Sequence, residues 1–381
     1  MLDQVHPLLR WFIEQAADIR SPRRMVDGAA EQMLANGIPV WRYATYIRTL
    51  HPELMGDSYV WTRESGRSVH RTAPRSIVTH DDFTKSPIVE LYRRNDTLRI
   101  RLLPEANLSQ FPVLESMRAE GGTDYCAVPL RFSNGSVHAA TVATDAEGGF
   151  TDEQIALIEA CAPLMARFGE HHAVRAMGAR LLSIYVGRDA GARIMAGEIV
   201  RGTSETIHAA IWLSDLRGFT RISDSRSRDE VVALLNAYFD CMAGPVGEHG
   251  GEVLKFVGDA MLAIFPISGQ RDRRQACRDA LAAAQAALAA LAGAEMDVEA
   301  GIALHVGDVA YGNIGAADRL DFTVIGPAVN MADRIQSLCS SLKEPVLMSR
   351  DFVEEGEIAA QALEPAAVRG RDEPLQIFRP S

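Results

Sequence analysis

The chain has 381 residues, of which 47% are hydrophobic and 23% charged, and its formal net charge is −11. That length accommodates two domains with separate cores, and the composition excludes a disordered or fibrous chain. The acidic balance argues against non-specific binding to nucleic acid or to an anionic membrane surface.

At the N-terminus, MLDQVHPLLRWFIEQAADIR interrupts its apolar residues with Arg10, Glu14 and Asp18, the pattern of an amphipathic helix and not of a cleaved leader. No window approaches the roughly 18 uninterrupted apolar residues of a membrane span, so a cytoplasmic protein is expected. Helices are predicted over 6–18 and 21–36, the second opening on Ser21-Pro22. Strands follow over 41–50 and 57–62, then a helix near 88–94, a strand near 97–103 and a helix over 111–120. Asn134-Gly135 between two apolar runs predicts a hairpin, and Thr151 with Gln154 three residues later predicts a capping box. This closing order, YCAVPLRF, GSVHAATVAT, FTDEQIALIEACAPL, resembles the end of a GAF domain. The resemblance implies a small-molecule sensing and dimerising α/β module with an unknown ligand. His138, His171 and His172 read as satisfied or solvated side chains and Cys126 as a core residue. The five cysteines show no paired spacing and read as reduced core thiols.

Residues 152–185 read as one long helical stretch containing Pro163, whose ring disrupts helical hydrogen bonding. The domain limits expected are 1–170 for the GAF-like module, 171–204 for a helical linker and 205–381 for a second domain.

In that second domain, strand 207–213 runs into Ser214-Asp215-Leu216-Arg217-Gly218-Phe219-Thr220. A helix over 228–246 leads to EVLKFVGDAMLAIF, residues 252–265, a hairpin with Gly258-Asp259 at its turn. If the helix is a crossover, strand and hairpin share a sheet and Asp215 and Asp259 converge. An alanine-rich helix over 276–294 follows, its alanines explained by helix propensity. A strand over 298–306 comes next, then GDVAYGNIG and RLDFTVIGPAVNMADRI, which places Asn330 and Arg334 four apart on one helix face.

The four segments SDLRGFT, EVLKFVGDAMLAIF, GIALHVGDVAYGNIG and RLDFTVIGPAVNMADRI stand in the order and spacing of class III nucleotidyl cyclases, and the resemblance covers about 180 residues. It implies an α+β chain whose C-terminal domain is ferredoxin-like (palm-type), an antiparallel sheet with flanking helices. It implies an adenylate cyclase, a lyase making cyclic AMP and pyrophosphate from ATP in signal transduction, at the interface of a head-to-tail homodimer. Two ions of Mg²⁺ or Mn²⁺ per site would sit on Asp215 and Asp259, since hard cations take oxygen ligands and a two-metal site serves both entering and leaving oxygens. Read alone, either Asp is more readily a turn or cap residue than a metal ligand.

Gly218, Phe219 and Thr220 match the segment that approaches the substrate phosphates. Asn330 matches the ribose-orienting Asn and Arg334 the transition-state Arg, where a guanidinium fork suits phosphoryl oxygens. Without the resemblance both would read as residues of a solvated helix face. Lys255 matches the purine-reading lysine; alone it would be an edge lysine. Its ammonium only donates, which suits N1 of adenine and conflicts with the N1–H of guanine. Thr323 stands where many members carry Asp and a subset called class IIIb carries Thr, a hydroxyl that serves either purine. In the tail VRGRDEPLQIF, Leu375 replaces a phosphate-binding lysine of some members, and Arg369 or Arg371 is expected to supply that charge instead. The alternatives are a guanylate cyclase and a catalytically silent nucleotide-binding module acting through its N-terminal domain.

Overall fold

The computed structural model describes residues 5–269, 271–294, 296–370 and 373–381. The chain forms two compact units, the first ending at Leu181 and the second beginning at Leu182.

The first unit contains α1 (Pro7–Glu14), α2 (Pro22–Ala35), β1 (Arg42–Arg48), β2 (Leu54–Thr62), β3 (Arg67–Pro74), α3 (Asp81–Thr84), α4 (Pro87–Arg94), β4 (Leu98–Arg101), α5 (Pro112–Ala119), β5 (Asp124–Arg131), β6 (Val137–Thr144) and most of α6 (Asp152–Val186). Its strands form one antiparallel sheet in the order β3-β2-β1-β6-β5-β4. Side chains alternate across a strand, so Tyr43, Val128 and Val142 pack with α1, α2 and α6, whereas Tyr125, Ala127 and Ala143 pack with α4 and α5. The capping box forms: Gln154 N donates to Thr151 Oγ1 and Thr151 N to Gln154 Oε1. Ser21 precedes α2 without capping it through its side chain. α6 continues through Pro163, and residue 170 lies inside it.

His138 is 3% exposed. Its Nδ1 accepts from Arg48 N at 2.9 Å and its Nε2 lies 2.9 Å from Ser136 Oγ, which fixes the neutral Nε2–H form. Burial, with Arg48 nearby, lowers its pKa from 6.5 to about 4. The unfolded chain therefore takes up this proton first as pH falls. The stability contributed by the neutral ring is full above pH 6.5 and is lost towards pH 4, a loss of up to about 3 kcal/mol. His138→Asn, which keeps an acceptor for Arg48 N and does not titrate, should flatten the fall in urea midpoint between pH 7 and 5. Tryptophan fluorescence reads it, because Trp11, Trp41 and Trp61 belong to this unit; equal slopes for the two proteins would refute the assignment.

The second unit begins with the last turn of α6 and continues with α7 (Arg188–Met195), β7 (Ser204–Leu216), α8 (Phe219–Ser225), α9 (Arg228–Glu248), β8 (Glu252–Val257), β9 (Ala260–Pro266), α10 (Arg273–Gly293), β10 (Ala300–Gly315), β11 (Leu320–Ile325), α11 (Pro327–Leu342), β12 (Val346–Ser349), α12 (Arg350–Gly356), β13 (Ala360–Ala362) and β14 (Ile377–Pro380). The sheet order is β13-β14-β12-β10-β7-β9-β8, with β11 on β10. α9 connects β7 to the hairpin as a crossover, and β7 pairs with β9. The expected antiparallel sheet needs one correction: β10 and β12 run parallel, because α11 returns the chain over the sheet between β11 and β12.

On one face Ala210, Trp212, Met261, Phe265, Ile302 and Leu304 pack under α9 and α10. The alanines of α10 do more than favour helix: Ala276, Ala280, Ala283, Ala284 and Ala287 are fully buried and bring the helix close to its neighbours. The other face, with Ile211, Leu262, Val309 and Tyr311, packs with α11 and with Ala190 of α7.

Candidate active site

β7 and β9 pair with Ser214 opposite Met261. Asp215, one residue further along β7, and Asp259, two residues before Met261, therefore meet at one end of the sheet. Gly258 makes the turn at φ +64°, a conformation that costs a glycine nothing. The Asp215 carboxyl hydrogen-bonds to Asp259 and accepts from the Gln336 side chain. Burial, and next the adjacent Asp259, push its pKa up to about 7. Two touching carboxylates resist joint ionisation unless a proton or a cation lies between them. This all-oxygen donor set fits a hard divalent ion; among the described residues no third Asp, Glu, His or Cys completes a metal-ligating group. Beneath the pair, Tyr238 Oη donates to Ser214 Oγ at 3.2 Å.

Immediately after β7, Gly218 turns at φ +69° and Phe219 and Thr220 open α8. The first N–H groups of a helix have no intrahelical acceptor, so this corner presents backbone donors next to the carboxylates.

Lys255 and Thr323 line a different region, an open cleft of about 1390 Å³ that also includes Glu252, Phe256, Tyr311 and Phe322. Neither Asp215 nor Asp259 lines it. The Thr323 hydroxyl is buried and has no hydrogen-bond partner among the described residues, an arrangement that costs stability. Asn330 is exposed and Arg334 half-buried on α11. Gln336, two residues beyond Arg334, is rotated about 200° around the helix and faces Asp215. One helix thus supports the carboxylates with one side and turns Asn330 and Arg334 to the other. The tail passes Arg334: a Cβ on Gly370 would lie 3.5 Å from its Nη2. The expected phosphate residue, Arg371, lies outside the described residues.

Residues 203–378 match the family described as the adenylate and guanylate cyclase catalytic domain. The second unit is a nucleotidyl cyclase domain. Two uncharacterized proteins, one from Mycobacterium bovis and one from Mycobacterium tuberculosis, are each 36% identical over 205 residues, 53% of this chain but 38% of theirs. This chain therefore matches well under half the length of these relatives. Among solved structures, the adenylyl cyclase CyaB from P. aeruginosa aligns at 25% identity with a TM-score of 0.42, covering 46% of this chain and 94% of that one. A guanylyl cyclase aligns at 28% identity with a TM-score of 0.41, covering 46% and 92%.

Two features of the cyclase domain escape sequence reasoning. Gln336 is a polar residue on the α11 face shared by Ala332, Ile335 and Cys339, all buried, and a polar side chain on an apolar stripe is the signal that could have marked it. Glu252 accepts from Asp189 N at 3.0 Å, Ala190 N at 3.4 Å and Tyr311 Oη at 3.2 Å. No local pattern joins residues so distant in the chain. All five cysteines are free, with burial raising the pKa of Cys126, Cys161, Cys277 and Cys339 to about 12.

Proposed function

We propose that the chain is an adenylate cyclase that converts ATP to 3′,5′-cyclic AMP and pyrophosphate at sites shared by two copies of the chain, under the control of a GAF-like N-terminal unit. The observation that carries the chemistry is the contact between Asp215 and Asp259 inside a nucleotidyl cyclase domain. In this reading Asp215 and Asp259 hold Mg²⁺ or Mn²⁺, which supplies charge stabilisation for the attacking and leaving oxygens when bound.

The protein's own groups position and neutralise. The α8 corner, Gly218 to Thr220, offers N–H donors to phosphate oxygens, and Asn330 orients the ribose so that its 3′-hydroxyl faces the α-phosphorus. As the new P–O bond forms and the bond to pyrophosphate breaks, Arg334 meets the charge building on the phosphoryl oxygens with a two-pronged donor. Arg371 supplies further positive charge from the tail. Lys255 donates to N1 of adenine and Thr323 accepts from its amino group. Among the described residues Lys255 makes no ion pair, and the solitary Thr323 hydroxyl supports the same assignment. Both groups lie apart from Asp215 and Asp259, which supports a site completed by a second chain.

A silent nucleotide-binding module would have no need of the carboxylate pair, Asn330 and Arg334 together, and a guanylate cyclase conflicts with Lys255. The test is turnover of ATP and GTP by the purified chain with Mn²⁺ and with Mg²⁺. Cyclic AMP should form and fall by at least about 10³-fold in Asp259→Ala. Dominant cyclic GMP would replace this reading with the guanylate one, and no product from a demonstrated dimer would favour the silent module.

A further inference from the structure

α7 begins at Arg188 after Gly187, and Glu252, the first residue of β8, lies at its start. One Glu252 oxygen accepts from the main-chain N–H groups of Asp189 and Ala190, and the other from Tyr311 Oη. Tyr311 also lies 3.2 Å from Asp189 Oδ2. Further along α7, Arg193 pairs with Glu198 and Glu205 and stands 5.3 Å over the rings of both Tyr311 and Phe322, which meet edge to face at 4.8 Å. Ala190 is fully buried in the same apolar cluster. Each of these contacts ends beside a base-facing group: Glu252 lies three residues before Lys255 on β8, Phe322 immediately precedes Thr323 on β11, and Tyr311 is opposite Val324 across the β10–β11 ladder.

We infer that Glu252 is a positioning residue for the purine pocket: by fastening α7 to β8 and to Tyr311, it fixes Lys255 and Thr323 relative to each other. This rests on the cyclase reading of the cleft. The local backbone is built around the carboxylate. Gly187 has φ +97°, and a Cβ there would lie 2.8 Å from Glu252 Oε1 and 3.3 Å from Val253 O. Gly197 provides an internal comparison, with φ +100° and nothing within 4 Å of the corresponding position. Alanine at either glycine imposes similar backbone strain, but only at Gly187 does it push against Glu252.

The experiment compares the full-length wild type with Glu252→Ala, Glu252→Gln, Gly187→Ala and Gly197→Ala. It measures kcat and KM for ATP and GTP, the Mn²⁺ dependence, and displacement of a ribose-labelled fluorescent ATP by each unlabelled nucleotide. Glu252→Ala should raise the ATP KM roughly tenfold to a hundredfold and narrow the preference for ATP over GTP, leaving the Mn²⁺ half-saturation unchanged. Gly187→Ala should do the same, and adding it to Glu252→Ala should bring no further loss. Glu252→Gln keeps an oxygen for the α7 N–H groups and an amide for Tyr311, and should retain most of the wild-type KM. Gly197→Ala should keep the wild-type preference. A fall in kcat alone at unchanged KM and unchanged nucleotide preference, or equal losses from Gly187→Ala and Gly197→Ala, would reduce Glu252 to a structural role. If the wild type turned over neither nucleotide, the cyclase reading would fail on that measurement. The displacement ratio would then decide the pocket independently, and an unchanged ratio in Glu252→Ala would overturn the inference.

Discussion

Asp215→Ala and Arg334→Ala chains, each nearly silent alone, should recover roughly a quarter of the wild-type rate when mixed in equal amounts and allowed to exchange partners. The fraction follows from symmetry: random pairing makes half of the dimers mixed, and each mixed dimer has one site with both mutations and one with neither. The expectation comes from α11. Gln336 reaches back to Asp215 in its own chain, whereas Arg334 and Asn330 lie on the opposite side of the same helix. A rigid helix cannot deliver both faces to one triphosphate, so on the proposed reading the arginine assigned to the transition-state charge comes from the other chain. Loss of such an arginine costs about 10³-fold or more, so the recovered signal stands far above either parent. Cyclic AMP formation measured against mixing ratio should peak at equal amounts. A mixture shown by sedimentation to contain dimers, yet no more active than its parents, would mean that each chain builds its own site.

The carboxylate pair is legible in the sequence because its logic is local. An apolar run ending in Ser214-Asp215, a helix, and two short apolar runs around Gly258-Asp259 admit few arrangements, and the crossover rule brings the two turns to one end of the sheet. β3 is not legible. Of Arg67–Pro74 only Ser68 is buried, so an edge strand that covers no core shows no alternation to read. β10 fails for the opposite reason. Its glycines look like a stop after Val306, yet the strand continues to Gly315. A Cβ on Gly307 would lie 2.9 Å from the Ala328 Cβ, and one on Gly312 2.2 Å from Thr203 O; these glycines permit close approach by α11 and by the chain before β7. Gln336 and Glu252 act across large sequence separations, through contacts that exist only once the sheet has formed. Sequence periodicity reports which face is buried, not which polar side chain will find a distant partner there.

Lys255→Glu should reverse the nucleotide preference, with ATP kcat/KM falling about 10²-fold to 10³-fold and GTP becoming the better substrate. Guanine presents N1–H and N2–H₂ donors and an O6 acceptor, so a carboxylate at 255 accepts from the first two while the Thr323 hydroxyl donates to the third. An unmoved ratio would return Lys255 to an ordinary edge lysine. Thr323 permits a sharper test, because stability and function should move in opposite directions. Its hydroxyl is buried without a partner among the described residues, so on the proposed reading it weakens the free protein and gains its partner when a base arrives. Thr323→Val keeps the shape and removes the unsatisfied group, and should leave the chain as stable as before or more stable by about 1 kcal/mol. The same change should raise the ATP KM roughly tenfold, because the amino group of adenine then enters a site with no acceptor. A thermal midpoint that holds or rises while KM worsens is the signature of a group retained for its ligand. Loss of stability without a change in KM would instead make Thr323 a packing residue and leave Lys255 alone to choose the base.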